Sequence, residues 1–292
     1  MSRTVALELV PPTVDREGFS IDEEVSKVHD LLAKAGLLGR INTILVPQVV
    51  AEDDGRPVAI RDRMDPLEVK RAFSAALPYP YILAQVTVHT PLDALKARVA
   101  HLLEEGVSRL IFVGAPRNSS NSYSVGPSPD VALRAFRNMV PSEGVILIPT
   151  RLGEDTRFRR KLESGADFAV TQLLFSDHVI RLVKQMGPLP SRPEVILSFG
   201  YVPRVEIDRH LLQWLIRDDK SPHVAEELAA INQLASLPLE QRKRRLVDLY
   251  KAVVEQAERL DLSLGVHFEC PYGITPQALE TFNAMLDVWT PR

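Results

Sequence analysis

The stretch YILAQVTVHTPLDALKARVAHLLEEGVSRLIFVG, residues 81–114, decides the fold. It opens on a β-branched and aromatic run, Tyr81–His89, and closes on another, Arg109–Gly114. Between them, Pro91–Glu105 carries Ala94, Leu95, Val99, Leu102 and Leu103 as an apolar stripe of helical period. Thr90-Pro91 reads as a capping hydroxyl before a first-turn proline. A strand–helix–strand unit with so short a connection fits parallel strands joined by a crossover helix.

The same alternation runs outward in both directions. Upstream, Val5–Val10 precedes Ile21–Ala35, and Asn42–Val50 precedes Asp65–Leu77. Downstream, Arg109–Gly114 leads to Ser128–Val140, Val145–Thr150 to Thr156–Glu163, and Asp167–Phe175 to Asp177–Met186. Glu194–Gly200 precedes a helical region from about 208 to 260, in which His223–Ala235 and Leu239–Leu260 are separate helices. Ser263–Phe268 precedes Thr275–Trp289. Eight such units in 292 residues, roughly 36 each, predict a (β/α)8 TIM barrel as a single domain over 1–292, with an extra helix before the seventh outer helix. A doubly wound open sheet is the competitor. It favours a Gly-rich turn after its first strand, where this chain has Pro11-Pro12.

Composition narrows the function. Thirty-five Lys and Arg against 38 Asp and Glu give a net charge of −3, which disfavours nucleic acid as a partner. The basic run Gln241–Arg245 lies inside an amphipathic helix and reads as a solvated face. The single Cys270 excludes an internal disulfide and any site built on two thiolates, and seven scattered histidines give no ligand spacing, so no metal is expected. No stretch has the roughly 20 apolar residues of a membrane span. Val5–Val10, broken by Glu8, is too short and polar for a secretory core, so a cytoplasmic location is expected. No GxGxxG after a strand, GxxxxGK or Gly-x-Ser-x-Gly occurs.

In a barrel of this kind, chemistry gathers at the C-terminal ends of the strands. Glu8, inside VALELV, is a carboxyl in a dry strand and should have a raised pKa, unless it faces outward onto a helix lysine. Gln172, in AVTQLLF, offers donor and acceptor to a fused heterocycle, or else satisfies a neighbouring backbone. Gln48 and Gln85 repeat the pattern, with Gln85, Thr87 and His89 on one face by strand alternation. His267 and Glu269 share a face at the end of the last strand, suited to hydrogen bonding more than to a metal. The polar stretch 116–129 reads as a lid or binding loop, with Arg117 and Asn118 its ligand candidates. Glu52-Asp53-Asp54 reads as a solvated turn.

Three segments together resemble one family. LELVPP (7–12) resembles the glutamate strand and Pro-Pro that open methylenetetrahydrofolate reductases, SGADFAVTQLLF (164–175) their pterin-binding strand, and GVHF (265–268) their last barrel strand. The resemblance implies reduction of 5,10-methylenetetrahydrofolate to the 5-methyl form, in one-carbon metabolism and methionine biosynthesis. It makes Glu8 the proton donor that opens the ring to a 5-iminium cation, and Gln172 the residue that hydrogen-bonds the pterin. Where FAD-carrying members have a third-strand histidine, this chain has Gln85; in place of their fourth-strand Arg-Gly-Asp it has Gly114-Ala115-Pro116-Arg117, and Thr150 replaces a tyrosine. In this the chain resembles the flavin-independent actinobacterial branch, which implies NADH as direct hydride donor and no tightly bound FAD. On the folate side the expectation places Gln172, Gln48, Thr171, Tyr201 and His267, and on the cofactor side Gln85, Arg117, Asn118 and Thr150. The alternatives are the same reaction through bound FAD, a non-catalytic folate-binding barrel, and an unrelated deazaflavin-using barrel reductase. The expected partners are the two small substrates, with a homo-oligomer left open by the apolar residues on the outer helices.

Overall fold

A computed structural model describes residues 3–13, 18–50, 63–114, 125–201, 221–260, 262–271 and 273–291. Eight parallel strands close into a barrel in sequence order: β1 (Val5–Glu8), β2 (Thr43–Val46), β3 (Tyr81–Val86), β4 (Arg109–Val113), β5 (Ser142–Leu147), β6 (Phe168–Thr171), β7 (Glu194–Gly200) and β8 (Ser263–Glu269). The outer helices among the described residues are α1 (Ile21–Lys34), α2 (Pro66–Phe73), α3 (Leu92–Glu104), α4 (Pro129–Phe136), α5 (Glu154–Glu163), α6 (His178–Met186), α7 (Pro222–Ser236), α8 (Leu239–Ala257) and α9 (Pro276–Val288). The fold is the expected (β/α)8 barrel, and closure leaves no sheet edge. None of the described helices is long and apolar enough to cross a membrane.

Strand alternation sorts the core into two. Val5, Leu7, Ile44, Leu83, Phe112, Val145, Leu197, Val266 and Phe268 point outward and pack under the helices. Ala6, Leu45, Ile82, Ala84, Ile111, Phe168, Val170 and Ile196 fill the barrel interior. The floor is polar but satisfied. Arg109 lies 4.4 Å over the Phe168 ring and donates to Glu194 (2.8 Å) and Thr4 (2.9 Å). Glu194 also accepts from the Thr4 backbone N–H at 2.8 Å. Phe168 fits because β5 offers Gly144 opposite it, where a Cβ would lie 2.3 Å from the ring.

The extra helix is α7. The seventh unit is closed by α8, whose Tyr250, Val253 and Val254 are buried and whose Tyr250 ring meets Phe199 of β7 edge-on at 4.8 Å. The basic run differs in one respect from a solvated face. Arg242 turns inward and donates to the Leu234 and Leu237 carbonyls (3.2 and 3.0 Å), closing the C-terminal end of α7.

Two local expectations are corrected. β3 ends at Val86, so Thr87 and His89 lie in the following turn and do not continue the face of Gln85. Thr90 does not cap α3: the cap position is Pro91, without a side-chain bond. Thr87 instead donates to the Pro127 carbonyl (2.6 Å), and the Gly126 N–H donates to that of Val88 (3.0 Å). A Cβ on Gly126 would fall 2.0 Å from the Thr87 oxygen, so the end of the 116–129 stretch is seated tightly on the β3–α3 turn.

Candidate active site

β1 delivers Glu8 to the barrel mouth. Ala6 faces the interior and Leu7 the helices, so Glu8, one step further, faces inward again. It is buried and has no lysine partner among the described residues; its Oε1 accepts the Cys270 N–H at 3.3 Å. Burial raises its pKa from 4.5 to about 7, and the Cys270 bond offsets this only in part. A carboxyl in this state holds a proton near neutral pH and can release it.

β8 supplies the neighbours. β1 and β8 pair with Ala6 opposite His267 and Leu7 opposite Phe268, which sets Glu269 beside Glu8. Burial first, and then the Glu8 charge, push the Glu269 carboxyl well above the usual range. His267 lies one layer deeper, 2% exposed, with Nδ1 3.0 Å from Ser198 Oγ and 3.7 Å from Glu269 Oε1. Ser198 gives its own proton to the Thr171 carbonyl (2.7 Å), so its oxygen accepts from His267 Nδ1–H. Burial drives the His267 pKa down to about 3, so the imidazole is neutral, and its Nε2 is buried with no hydrogen-bond partner.

The remaining candidates take distinct places. The Gln172 N–H still pairs with the Leu147 carbonyl (2.8 Å), so alternation from the interior Val170 carries past β6 and turns Gln172 inward. It is half-buried, and no described residue hydrogen-bonds its side-chain amide. Thr171 faces outward, its hydroxyl accepting the Ser198 N–H (2.8 Å) where β6 parts from β7. Gln85 also falls on the helix-facing parity of β3; it donates to Gln48 Oε1 (3.0 Å), which accepts the Val86 N–H as well (2.6 Å). Gln48 and Gln85 thus extend the β2–β3 ladder past its end. Tyr201 follows Phe199 in the outer core, and Thr150 is buried in the β5–α5 turn. Arg117, Asn118 and the 52–54 acidic turn lie outside the described residues.

The structure thus brings together Glu8, Glu269, His267 and Ser198, with Gln172 on the same inward parity. Ser198 escaped the sequence reading. Its signal was present, a polar residue within EVILSFG, but its parity relative to His267 depends on β7–β8 register, where Ser198 and His267 are paired. Pro11 and Pro12 hold the chain as it leaves β1: their carbonyls accept from Arg63 (3.0 Å) and the Met64 N–H (3.0 Å).

A family profile described as mycobacterial methylenetetrahydrofolate reductase matches residues 1–292. The chain belongs to this family. Among solved structures, an uncharacterized Clostridium thermocellum protein, described as binding two copies of 5-methyl-5,6,7,8-tetrahydrofolic acid, superposes with a TM-score of 0.70. It is 14% identical over 98% of this chain and 95% of that one, a likeness of fold. The Bacillus megaterium QM B1551 spore cortex-lytic enzyme SleL aligns at a TM-score of 0.47 and 13% identity, over 97% and 74% of the two chains. No functionally curated protein matches in sequence. Glu8 and Gln172 face inward at the C-terminal ends of β1 and β6, the end of a (β/α)8 barrel at which active sites lie.

Proposed function

We propose that this barrel, acting as one unit over residues 1–292, reduces 5,10-methylenetetrahydrofolate to 5-methyltetrahydrofolate with NADH, by direct hydride transfer and without tightly bound flavin. The observation that carries the reading is Glu8, an inward carboxyl at the mouth whose pKa is raised to about 7. Its proton goes to N10 of the folate as the bond between N10 and the bridging carbon breaks, which leaves a 5-iminium cation. The hydride of NADH adds to the exocyclic carbon, giving the 5-methyl group and NAD+. Glu8 then recovers a proton from water, so that one NADH and one proton are consumed per turnover. Gln172, its amide unengaged by the described residues, orients the pterin edge. Family membership supports the reaction class, and the fold likeness to a protein described as binding 5-methyltetrahydrofolate agrees with folate as ligand. In place of the FAD contacts expected of flavin-bearing members, Gln85 is taken up by Gln48 and Thr150 is buried, which supports NADH itself meeting the folate.

The test is an anaerobic initial-rate grid of NADH against methylenetetrahydrofolate with no added flavin. Intersecting lines are expected. Parallel lines would indicate a carrier that alternates between substrates, and no NADH oxidation with or without FAD would remove the reductase reading.

A further inference from the structure

The histidines that give no spacing along the chain include two that the fold brings together. His178 opens α6 and His223 lies in the first turn of α7, their rings 4.8 Å apart. Ring nitrogens of both and Glu226 Oε2 all lie within 4.8 Å of one another. Glu227 lies beside the group: its Oε2 is 3.9 Å from His178 Nε2, and Glu226 Oε2 is 3.5 Å from the same atom. Tetrahedral zinc, with ligand bonds of about 2.0–2.1 Å, spaces its ligands about 3.3 Å apart, so these side chains would have to draw together by up to about 1.5 Å around an ion.

Two further observations point to a ligand here. His223 Nδ1 and Glu227 Oε2 are both buried and have no hydrogen-bond partner. Glu227 is 2% exposed, its other oxygen accepting the Phe175 N–H at 2.8 Å, so the carboxylate is oriented with one oxygen left over. His178 is a neutral imidazole, its pKa lowered to about 4 by burial and by Arg181, and neutral imidazole is the form that binds metals. Among the described residues, Arg181 is a cation in contact with the cluster. It donates to Glu226 Oε2 at 3.0 Å and has Nη2 3.4 Å from His178 Nε2, but it is half-exposed and also holds Asp177 (3.2 Å), onto which it can turn. It satisfies Glu226 and leaves Glu227 Oε2 and His223 Nδ1 without partners.

We propose that His178, His223, Glu226 and Glu227 form a site for a divalent cation of the zinc type, which clips the start of α6 to the start of α7. Two imidazoles with carboxylates suit zinc, cobalt and nickel and not magnesium or calcium, which prefer all-oxygen cages. The clip acts on structure: Phe175, whose N–H Glu227 accepts, is three residues after Gln172.

Chelator-treated full-length protein titrated with zinc chloride in a calorimeter tests the site. One equivalent should bind, raising the thermal midpoint by several degrees, and His178→Ala and His223→Ala should each weaken binding at least tenfold. Cobalt(II) should give the strong visible absorption of a tetrahedral site, lost in the same variants. If either alanine variant fails to fold, Glu227→Gln, which keeps the volume and the Phe175 contact, replaces it and should weaken zinc binding likewise. Zinc bound equally by wild type and the variants would put the ion elsewhere, and no binding would leave an Arg181-neutralised cluster; either result overturns the proposal.

Discussion

Glu8 and Glu269 stand side by side on the paired strands β1 and β8, one residue past the Leu7–Phe268 pair, both facing into the mouth. Two buried carboxyls so placed cannot readily both ionise. Burial raises Glu8 to about 7 against the partial offset of the Cys270 N–H, and raises Glu269, which the Glu8 charge pushes up further. One of the two therefore keeps its proton while the other ionises. The pair holds a transferable proton where a barrel enzyme does its chemistry.

Replacing Glu8 by Gln keeps the side-chain volume and removes the proton. General acid catalysis contributes on the order of 100- to 10,000-fold. Anaerobic NADH oxidation should therefore fall at least about 100-fold in Glu8→Gln, with an unchanged circular dichroism spectrum. Near-wild-type turnover would sink the assignment of Glu8 as proton donor.

The rate should also follow the protonated form, so kcat/KM should decline as pH rises through about 7. Because burial is the largest cause of the Glu8 shift, Glu269→Gln should leave the midpoint of this decline well above 4.5. A midpoint that dropped toward 4.5 would mean that Glu269 is the ionised partner.

The same shift has a sign in stability. Unfolded, Glu8 titrates at the ordinary value of 4.5, and folded at about 7. Between those values the native state holds a proton that the unfolded chain has released, so stability falls as pH rises through the window and levels off above it. The difference is worth about 3 kcal/mol, at 1.36 kcal/mol per unit. Glu143, also raised to about 7 by burial and by Asp167, adds to the same slope. Urea midpoints from pH 4.5 to 8 should fall in wild type and fall less in Glu8→Gln; parallel curves would contradict the burial of this carboxyl.

All eight strands were legible because each is a β-branched run followed by a helical stripe, and closure in sequence order needs no further information. Several C-terminal ends were read too long, such as Val5–Val10 against Val5–Glu8 and Asn42–Val50 against Thr43–Val46. The apolar pattern continues because Leu9, and Leu173 to Phe175 after β6, are buried in the loops beyond the ladder. Glu8 was legible as a charge in a dry strand. Its partner Glu269, the Ser198–His267 bond and the His178–His223 pair were not, since each joins residues 45 or more apart through register or helix placement that no local pattern encodes.

Gln172 should act on the folate alone. Its unengaged amide is worth one or two hydrogen bonds to the pterin, so Gln172→Leu should raise the folate KM about tenfold, at roughly 1.4 kcal/mol per factor of ten. The NADH KM should stay within about twofold. A folate KM that does not move, or an NADH KM that rises with it, would count against the role.

The barrel floor gives the control that separates fold from chemistry. Phe168 fills the interior because Gly144 faces it and Arg109 covers it. In Gly144→Ala the new Cβ would fall 2.3 Å from the ring, and the ring is hemmed in by the Arg109–Glu194 pair and cannot give freely. Overpacking of this kind costs about 1–3 kcal/mol. The urea midpoint should drop accordingly, while kcat and both KM values stay within about twofold, because the floor lies at the end of the strands opposite Glu8. A loss of kcat with no loss of stability would mean that the interior layers transmit strain from the floor to the mouth, and that the site depends on how the barrel is filled as well as on which residues rim it.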